Sequence, residues 1–479
     1  MQGTKVDMTV VITAHREGYL AHLTMQSLLR SVEYAKENGF NAEIIMVLDK
    51  ADHETEDYFS RYKNMRVQVE SVDFGDPGLS RNCGVKSASG EYVAFLDADD
   101  LFGRYWLYKA VLYLKDIGRD IIVHPEYSIF FGARNKIWRH VSTFDTRFRV
   151  TDLIEYNFWI VSFMASRALL LKYPFESTHP ESGFGYEDWH FNCQTLADGI
   201  EHHVVPETVN FIRLKKTGSR MDYDIKMARI FRPTKLFQPG VLSSLISEKE
   251  INKVSTQELY RFIYTLFIRF YTPLQPFVRQ VKRPFNLLHR LVNHCKKNIS
   301  VFFLNADNLP QWLIEEWKDI HNIEPRLFPE KKVFRTTTFY HVPYSNIGKY
   351  YLELSRLFPE NVSHVFLIPC LKPGGADIET LNYINAILKN KSGQKAVVIT
   401  TNNSGSSWSG KLPDGVILIE FGKICFRLSA EEQMKLLVRL FIQMAPRIIH
   451  NINSDLGYRI FAKYGKPLSS ISNLYVKTF

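Results

Sequence analysis

The chain is organised around residues 90–100, which read Gly90-Glu91-Tyr92-Val93-Ala94-Phe95-Leu96-Asp97-Ala98-Asp99-Asp100. Five consecutive apolar or aromatic residues lie between a glycine-glutamate pair and a group of carboxylates. This pattern predicts a buried strand that ends in acids. In an open α/β sheet, ligands bind outside the carboxyl ends of the strands, so we expect these acids at the position where a substrate is held.

The three carboxylates after the strand predict a site for a divalent cation. They repel one another unless a positive charge lies among them, and a set of oxygen ligands favours Mg²⁺ or Mn²⁺ over Zn²⁺. A metal held by one or two side chains keeps coordination positions for phosphate oxygens. The acids also fit a helix cap, with Asp99 or Asp100 before Leu101. Both interpretations are open at this point, because short acidic motifs have many false positives.

The residues before the strand favour the metal site. They resemble the signature of family 2 glycosyltransferases in the run Gly78-Leu79-Ser80-Arg81-Asn82-Cys83-Gly84-Val85-Lys86-Ser87-Ala88-Ser89-Gly90-Glu91-Tyr92, followed by Phe95-Leu96-Asp97-Ala98-Asp99-Asp100. The catalytic domains of that family have the GT-A fold. By this resemblance, Asp97 and Asp99 are an Asp-x-Asp pair, and Asp99 is the direct ligand of a metal bound to a nucleotide-diphosphate sugar. The resemblance also places Arg81 and Asp97 at the sugar nucleotide.

The segments before this motif predict a mostly parallel sheet, since strands and helices alternate along the chain. Strands are predicted at residues 8–13, 43–48 and 67–72, and helices at residues 18–36 and 51–62. In the resembling family, the ends of the first two strands bind the base and ribose, and these positions carry Glu17 and Asp49 here. The usual proline and asparagine of the first turn are missing, and Lys50 follows Asp49 where the family has a second aspartate.

A second acidic pair lies about ninety residues further on, within Gly183-Phe184-Gly185-Tyr186-Glu187-Asp188-Trp189. It resembles the Glu-Asp motif of the same family. By that resemblance, Asp188 is the general base that removes the proton from the acceptor hydroxyl, with Glu187 beside it. A positioned base typically contributes about 10²–10⁴-fold to the rate. The pair also fits the first turn of a helix, where acids face the positive end of the dipole, and both interpretations hold together.

A basic segment, residues 211–220, resembles the Gly-Ser stretch that closes many such domains. Arg213, Lys215 and Lys216 are predicted to neutralise the diphosphate, and a solvated basic surface is the alternative for each. His202 and His203 precede this segment and are candidates for a third metal contact.

The charge pattern changes in residues 258–297. Between Arg261 and Lys297 there are eight Lys or Arg residues and no Asp or Glu, interleaved with aromatic and apolar residues. Such a basic amphipathic segment fits the interface of an anionic membrane. It also fits a helical connector that packs on the next domain. We predict a GT-A glycosyltransferase domain at residues 1–240, a membrane-associated helical connector at residues 241–331 and a second unit at residues 332–479.

The second unit is predicted to be Rossmann-like. Strand-like runs at residues 365–368, 396–400, 416–420 and 447–450 alternate with two helices. Pro373-Gly374-Gly375-Ala376-Asp377 and Ile448-Ile449-His450-Asn451 are similar to the N-terminal half of family 4 glycosyltransferases, which have the GT-B fold. The resemblance implies half of a GT-B enzyme, acting as an acceptor-side remnant, a docking domain or part of a longer bifunctional polymerase. The glycine turn also fits an ordinary loop between a strand and a helix.

Composition limits the classes of partner and compartment. With 479 residues, 45% hydrophobic and 23% charged, the chain is long enough for two or three globular domains. A net charge of +10 suits nucleotide diphosphates, lipid phosphates or an anionic membrane, and we predict no nucleic-acid partner. Five widely spaced cysteines without a Cys-x-x-Cys pair indicate a reducing cytosol. No run approaches eighteen apolar residues, so we predict a cytoplasmic protein, peripheral at the inner face of the cell membrane.

The sequence therefore predicts a metal-dependent inverting glycosyltransferase. It would transfer a sugar from a nucleotide-diphosphate sugar to a hydroxyl of a glycan or lipid-linked glycan in bacterial O-antigen or capsule biosynthesis. Inversion is implied by the family resemblance. A nucleotidyltransferase is one alternative, although it would ordinarily have a glycine-rich turn with a basic residue after the first strand, unlike Ala14-His15-Arg16-Glu17-Gly18. A membrane-docked scaffold, whose second unit recruits assembly enzymes, is the other.

Overall fold

A computed structural model describes residues 5–62, 67–216, 220–246, 309–327, 337–389 and 395–479. The basic amphipathic segment of the predicted connector, residues 258–297, lies outside these ranges. Within them, no helix has the length and apolar character needed to cross a bilayer.

The first sheet contains ten strands within the described residues. In chain order these are β1 (Met8–Ala14), β2 (Ala42–Asp49), β3 (Val67–Val72), β4 (Tyr92–Asp97), β5 (Leu101–Phe102), β6 (Ile121–Gly132), β7 (Lys136–Arg139), β8 (Met164–Ser166), β9 (Glu201–Leu214) and β10 (Thr338–Tyr340). Their order across the sheet is β10-β7-β6-β8-β4-β1-β2-β3, and β9 pairs with β6 and β5. The half containing β3, β2, β1 and β4 is parallel, so its carboxyl ends lie at one edge.

Helices cover both faces of this sheet. They are α1 (Ala21–Glu37), α2 (His53–Ser60), α3 (Pro77–Ser87), α4 (Trp106–Ile117), α5 (Arg167–Lys172), α6 (Glu187–Ala197), α7 (Arg220–Lys226), α8 (Val241–Leu245) and α9 (Gln311–His321). Successive side chains of β1 point to opposite faces. Val10 and Ile12 therefore join the core formed with α1, α2 and α4, whereas Val11 joins the core formed with α3, α5 and α6.

Gly84 explains part of the motif that precedes β4. A Cβ atom at this position would lie 2.4 Å from Cγ1 of Val11, so α3 crosses directly against β1. Any larger residue would push the helix away from the sheet. Because Arg81 lies one turn earlier on the same helix, this close contact also fixes the height of Arg81 above the strand ends.

The second sheet has five parallel strands within the described residues, in the order β13-β12-β11-β14-β15. The strands are β11 (Val362–Ile368), β12 (Lys395–Thr400), β13 (Val416–Ile419), β14 (Ile448–Ile452) and β15 (Asn473–Lys477), and the helices are α10 (Ile347–Ser355), α11 (Gly375–Leu388), α12 (Phe421–Ile424), α13 (Ala430–Met444) and α14 (Asp455–Ser469). Numbered from β11, this is the strand order 3-2-1-4-5 of a Rossmann-like sheet. The predicted fold class, two α/β units with mostly parallel sheets, is confirmed.

The two units are packed together. Strand β10 pairs with β7 at the edge of the first sheet, and α9 packs on the same sheet through Leu313 and Trp317. One hydrophobic core combines Phe237 of the first unit with Tyr351 and Phe441 of the second. The Tyr351 hydroxyl donates to the carbonyl oxygen of Phe237 at 2.6 Å. The second unit therefore contacts the first in two ways, by strand pairing at the sheet edge and by a shared hydrophobic core.

Candidate active site

Arg81 joins the two acidic motifs found in the sequence. Its Nη2 donates to Oδ1 of Asp97 at 2.9 Å, and its Nη1 donates to Oε1 of Glu187 at 2.8 Å. The arginine is only 3% exposed, and its guanidinium lies over the ring of Phe175. Because a guanidinium presents its donors in a rigid fork, it fixes the distance between the two carboxylates. The end of β4 and the start of α6 therefore face the same site.

Asp97 and Asp99 both stand at the carboxyl end of β4. Oδ1 of Asp97 also accepts a hydrogen bond from Oγ1 of Thr13 at 2.9 Å, which ties β4 to the end of β1. The Asp97 side chain remains 36% exposed. Oδ2 of Asp99 lies 2.9 Å from Nζ of Lys215. Burial raises the pKa of Asp99, Lys215 opposes this shift, and the neighbouring carboxylates of Asp97 and Glu17 add to it.

Lys215 and Glu17 complete a polar group with Asp99. Lys215 Nζ lies 3.3 Å from Oε1 of Glu17, and the other carboxylate oxygen of Glu17 accepts from the backbone N–H groups of His15 and Arg16. Glu17 therefore orders the turn after β1 while its free oxygen faces the lysine. The ammonium group lies between acids from two neighbouring strand ends.

Arg213 lies beneath this group. Its backbone N–H donates to Oδ1 of the buried Asp100 at 2.7 Å, and its Nε donates to the carbonyl oxygen of Asp99 at 3.1 Å. The far end of the guanidinium pairs with Glu324 at 2.7 Å, where both side chains are almost fully buried. Arg213 therefore supports the backbone of the acidic motif, and its charge is matched by Glu324. Glu324 carried no recognisable motif in the sequence.

Asp49 has a different set of partners. Its Oδ1 accepts from the backbone N–H groups of Phe74 and Gly75 at 2.8 and 2.7 Å. Its Oδ2 accepts from the backbone N–H of Asp76 at 2.9 Å and from the Ser80 hydroxyl at 2.8 Å. Four donors thus engage the carboxylate, which holds the loop at the start of α3. Asp49 acts on the site through the helix that carries the bridging arginine.

The predicted base, Asp188, lies in the first turn of α6 beside Glu187. Oδ1 accepts from the backbone N–H of Trp189 at 2.8 Å, and Oδ2 accepts from Nδ2 of Asn157 at 3.1 Å. Burial, with the charge of Glu187, raises the pKa of Asp188 to about 7. The position of the acidic pair is therefore compatible both with a role at a helix N-terminus and with a general base at the site.

Two asparagines that were assigned no role from the sequence support the Asp188 carboxylate, Asn157 by direct contact and Asn192 through Asn157. Nδ2 of Asn192, one helical turn after Asp188, donates to Oδ1 of Asn157 at 2.9 Å. This contact orients the Asn157 amide so that its N–H faces the acid. The two residues belong to no motif, and only the folded chain brings Asn157 to α6.

Asp97 and Asp99 provide the ligand chemistry of a divalent cation. Both present carboxylate oxygens at one strand end, the donors that Mg²⁺ and Mn²⁺ prefer, and Lys215 already places one positive charge against Asp99. The residue set fits such a cation with two protein carboxylates. Among the described residues, no group of three or more His, Cys, Asp or Glu forms a metal site.

The two histidines considered as further ligands lie elsewhere. His202 stacks on Trp159 and its Nδ1 lies 2.9 Å from Nε2 of His124, inside the sheet. Burial lowers the pKa of His202 to about 3. Arg213 follows His202 by eleven positions along β9, a span of roughly 30 Å or more at the usual rise of a strand. His203 pairs with Glu201 at 2.7 Å. A third metal contact from either histidine stays a prediction, and these contacts do not support it.

Part of the first unit matches a known family model. Residues 9–177, about a third of the chain, match the model described as Glycosyl transferase family 2. A poly(ribitol-phosphate) beta-glucosyltransferase of Bacillus spizizenii is 37% identical over 83 residues, 16% of this chain and 13% of that protein. The Escherichia coli UDP-Glc:alpha-D-GlcNAc-diphosphoundecaprenol beta-1,3-glucosyltransferase WfaP is 32% identical over 130 residues, 27% of this chain and 45% of that protein. The chain thus spans less than half of either relative.

A solved structure is also similar. The crystal structure of Staphylococcus aureus TarS 1–349 in complex with UDP-GlcNAc is 17% identical, covering 67% of this chain and 90% of that chain with a TM-score of 0.35. A mannosyltransferase from Pyrobaculum calidifontis, solved with GDP-Man and Mn²⁺, is 15% identical over 45% of this chain and 59% of that chain, with a TM-score of 0.33.

Proposed function

We propose that the chain is a glycosyltransferase that moves a sugar from a nucleotide-diphosphate sugar to a hydroxyl of a glycan in cell-wall or polysaccharide biosynthesis. The family match over residues 9–177 and the activities named for its relatives support this class of reaction. The observation that carries the proposal is the Arg81 bridge between Asp97 and Glu187. It joins an acidic strand end, suited to the donor, with the acid pair suited to the acceptor.

On the donor side, we propose that Asp97 and Asp99 hold Mn²⁺ or Mg²⁺. The metal, when bound, stabilises the negative charge of the leaving diphosphate. Lys215 lies against Asp99 and Glu17, and we assign it the role of a cation that meets the diphosphate. Glu17 holds the turn after β1 against the nucleotide.

Three of the residues predicted to bind the sugar nucleotide receive indirect roles in this proposal. Asp49 orders the loop at the start of α3, Arg81 holds the two acidic motifs together, and Arg213 supports the backbone of Asp99 and Asp100. Each keeps the donor-side acids in place through contacts that the side chains already make. These three residues are therefore proposed to act through their neighbours.

On the acceptor side, we propose that Asp188 removes the proton from the attacking hydroxyl. A base with a pKa of about 7 is half ionised near neutral pH, where proton transfer is most effective. The hydroxyl then displaces the diphosphate in line, with inversion at the sugar carbon. Glu187 is held by Arg81 and adds negative charge beside the base.

Asn157→Ala is expected to move the acidic limb of the kcat/KM profile to higher pH. The substitution removes the hydrogen bond to Oδ2 of Asp188, so the ionised base loses a donor and its pKa rises from about 7. A hydrogen bond to a charged group corresponds to about one pH unit. The measurement is kcat/KM between pH 5 and 9, with the surface variant Asn38→Ala as control. An unchanged pH profile would show that Asn157 does not affect the pKa of the base.

Asp99→Ala is expected to abolish the effect of metal on nucleotide binding. Calorimetry with the donor nucleotide should show tighter binding in Mn²⁺ than in EDTA for the unsubstituted chain, and equal binding for the variant. We expect a loss of about tenfold or more in affinity in the presence of metal, equivalent to about 1.4 kcal/mol. Asp57→Ala, at a surface acid of α2, is the matched control. Metal-dependent binding by Asp99→Ala would contradict the assignment.

The acceptor is proposed to be an anionic or lipid-linked glycan at the inner face of a bacterial membrane. The relatives are named for poly(ribitol-phosphate) and for a diphosphoundecaprenol-linked sugar, both of which carry phosphate. The net charge of +10 favours such acceptors. Pelleting of the full chain with vesicles containing anionic lipid tests peripheral binding, and vesicles of zwitterionic lipid are the control.

The three-part division remains part of this proposal, with a catalytic unit at residues 1–240, a connector at 241–331 and a Rossmann-like, GT-B-related unit at 332–479. The activity itself is tested with a panel of nucleotide sugars, scored by metal-dependent release of the nucleotide. Release above the level of Asp188→Asn with at least one donor is the expected result. No release with any donor would favour the scaffold alternative.

A further inference from the structure

The loop that precedes the proposed base contacts the second unit. This loop, residues 182–186, connects directly to Glu187 at the start of α6. The Ser470 hydroxyl, at the end of α14, donates to the carbonyl oxygen of Ser182 at 2.6 Å. A Cβ atom on Gly183 would lie 2.6 Å from the backbone nitrogen of Pro467 and 2.7 Å from its Cδ. The base loop, residues 182–186, therefore packs against the last turns of α14, and at position 183 there is no room for a side chain.

A kink in α14 accompanies this contact. Tyr464 has a non-helical φ of −116°, and Pro467 follows three residues later within the same helix. A proline inside a helix removes the hydrogen bond to the carbonyl four residues earlier and bends the axis. The last turns of α14 therefore diverge from its first turns, and they carry both residues that touch the base loop.

The other side of the base loop pairs with Ile230, in a segment that α13 contacts through Arg439. Gly185 N–H donates to the carbonyl oxygen of Ile230 at 3.0 Å, and Ile230 N–H donates to the carbonyl oxygen of Gly183 at 3.4 Å. The next residue, Phe231, accepts a hydrogen bond from Nη2 of Arg439 at 3.1 Å through its carbonyl oxygen, and the guanidinium also lies 3.5 Å from its ring centroid. The Arg439 side chain thus fixes the segment that pairs with the loop.

We propose that the second α/β unit positions the general base of the first, because α13 and α14 together set the path of residues 182–186. This inference rests on the proposed function of Asp188. The loop contains no atom that would react, so Gly183, Pro467, Ser470 and Arg439 are positioning residues. The second unit is in this sense a part of the catalytic site, whatever further ligand it binds.

The loop has a backbone that requires external support. Tyr186, immediately before the acid pair, has a φ of 56°, in the left-handed region that side-chain-bearing residues rarely adopt. Such a conformation persists only where the surroundings determine it. A displacement of about 1 Å in a catalytic group is enough to lower a rate by about 10²-fold. The packing of α14 on Gly183 therefore bears on turnover.

A matched pair of glycine variants tests the proposal in the full chain. Gly183 and Gly199 have φ values of 75° and 79°, so Gly→Ala imposes a similar backbone strain at either position. A Cβ atom at Gly199 meets nothing within 4 Å, whereas at Gly183 it meets Pro467. We expect Gly183→Ala to lower kcat by about 10- to 100-fold with the KM for the donor changed less than about twofold. Gly199→Ala is expected to keep a kcat near that of the unsubstituted chain.

A second pair keeps the test decisive if Gly183→Ala proves unstable. Ser470→Ala removes the hydrogen bond to Ser182 and a second one, at 3.2 Å, to the carbonyl oxygen of Lys466. Ser469→Ala is its control, because the Ser469 hydroxyl bonds to the same Lys466 carbonyl but makes no bond to the loop. We expect kcat to fall several-fold for Ser470→Ala alone. Melting temperatures of all four variants report on folding.

The outcomes separate this inference from the function on which it rests. If Gly183→Ala and Ser470→Ala turn over like their controls, or if they raise the donor KM without lowering kcat, the second unit does not position the base. Turnover by the unsubstituted chain would stand in that case, and so would the proposed function. If the unsubstituted chain releases no nucleotide from any donor, the proposed function fails and this inference fails with it.

Discussion

Asp188→Asn is expected to lower kcat by about 10²–10⁴-fold while donor binding is preserved. Asparagine keeps the size of the side chain and accepts the same hydrogen bond from Trp189, but it cannot take a proton from the acceptor hydroxyl. The donor-side acids stand at the end of β4, whereas Asp188 lies in the first turn of α6, so the affinity for the nucleotide should change little. Steady-state turnover and calorimetry with the donor nucleotide give the two quantities.

The stability of the same variant provides an internal control. The pKa of Asp188 is raised from 3.8 to about 7 in the folded chain, so the native state holds this proton more tightly than the unfolded chain. Ionisation of Asp188 therefore lowers the free energy of unfolding. The loss is complete above pH 7, partial between pH 7 and 4, and absent below pH 4. Asp188→Asn should melt at an equal or higher temperature at pH 8. Asp198→Asn, at the other end of α6, should retain activity, and turnover by Asp188→Asn would exclude its role as the base.

Arg81→Met is expected to abolish transfer and to lower the free energy of unfolding by about 3 kcal/mol. Removing one partner of a buried charge pair leaves an uncompensated charge, which typically costs about 3–5 kcal/mol. We expect the lower end of this range because only one of the two acids would be left buried. Glu187 is 11% exposed, whereas Asp97 is 36% exposed and can be solvated by water. Urea unfolding measures the stability, and nucleotide release measures the activity.

Two further variants distinguish the charge of Arg81 from its geometry. Arg81→Lys keeps the charge but loses the fork that reaches both acids, so we expect stability to recover more than activity does. Arg81→Met combined with Glu187→Gln removes the unpaired acid and should regain part of the lost stability, again without activity. If Arg81→Met were as stable and as active as the unsubstituted chain, the bridge would have neither role.

The acidic strand end could be predicted because its signal is local. Residues 90–100 contain the apolar run, the bounding glycine and the carboxylates within one continuous segment, and the structure places β4 at Tyr92–Asp97 as a central buried strand. The alternation of strands and helices likewise predicted the parallel half of the first sheet. Local periodicity also predicted four of the five strands described in the second α/β unit, whereas β15, at Asn473–Lys477, was not predicted.

The supporting contacts of the site could not be predicted from one sequence. Glu324 reaches Arg213 across more than a hundred residues, and Asn157 reaches Asp188 from a segment with no regular pattern. Such pairs depend on which elements become neighbours in the fold, and neither composition nor periodicity records this. A buried arginine such as Arg213 therefore looked the same in the sequence as a cation facing the substrate.

Asp49 shows how a residue's position can be correct while its partners are unexpected. The acid stands at the end of β2, at the edge predicted for the nucleotide. Its two oxygens are engaged by three backbone N–H groups and the Ser80 hydroxyl, which no sequence pattern indicated. These partners come from the loop before α3, which folds over the Asp49 side chain.

The shared core between the two units has a consequence for substrate capture. A protein built from two loosely joined units can close on a ligand by a hinge motion of one unit. Here β10 is hydrogen-bonded into the first sheet, and Tyr351 packs into a core that spans both units. A hinge motion of this kind would break the pairing of β10 with β7 and open that close-packed core. We therefore expect the two units to move as one body. Access to Asp97, Asp99 and Asp188 is then expected to be controlled by short loops around the strand ends.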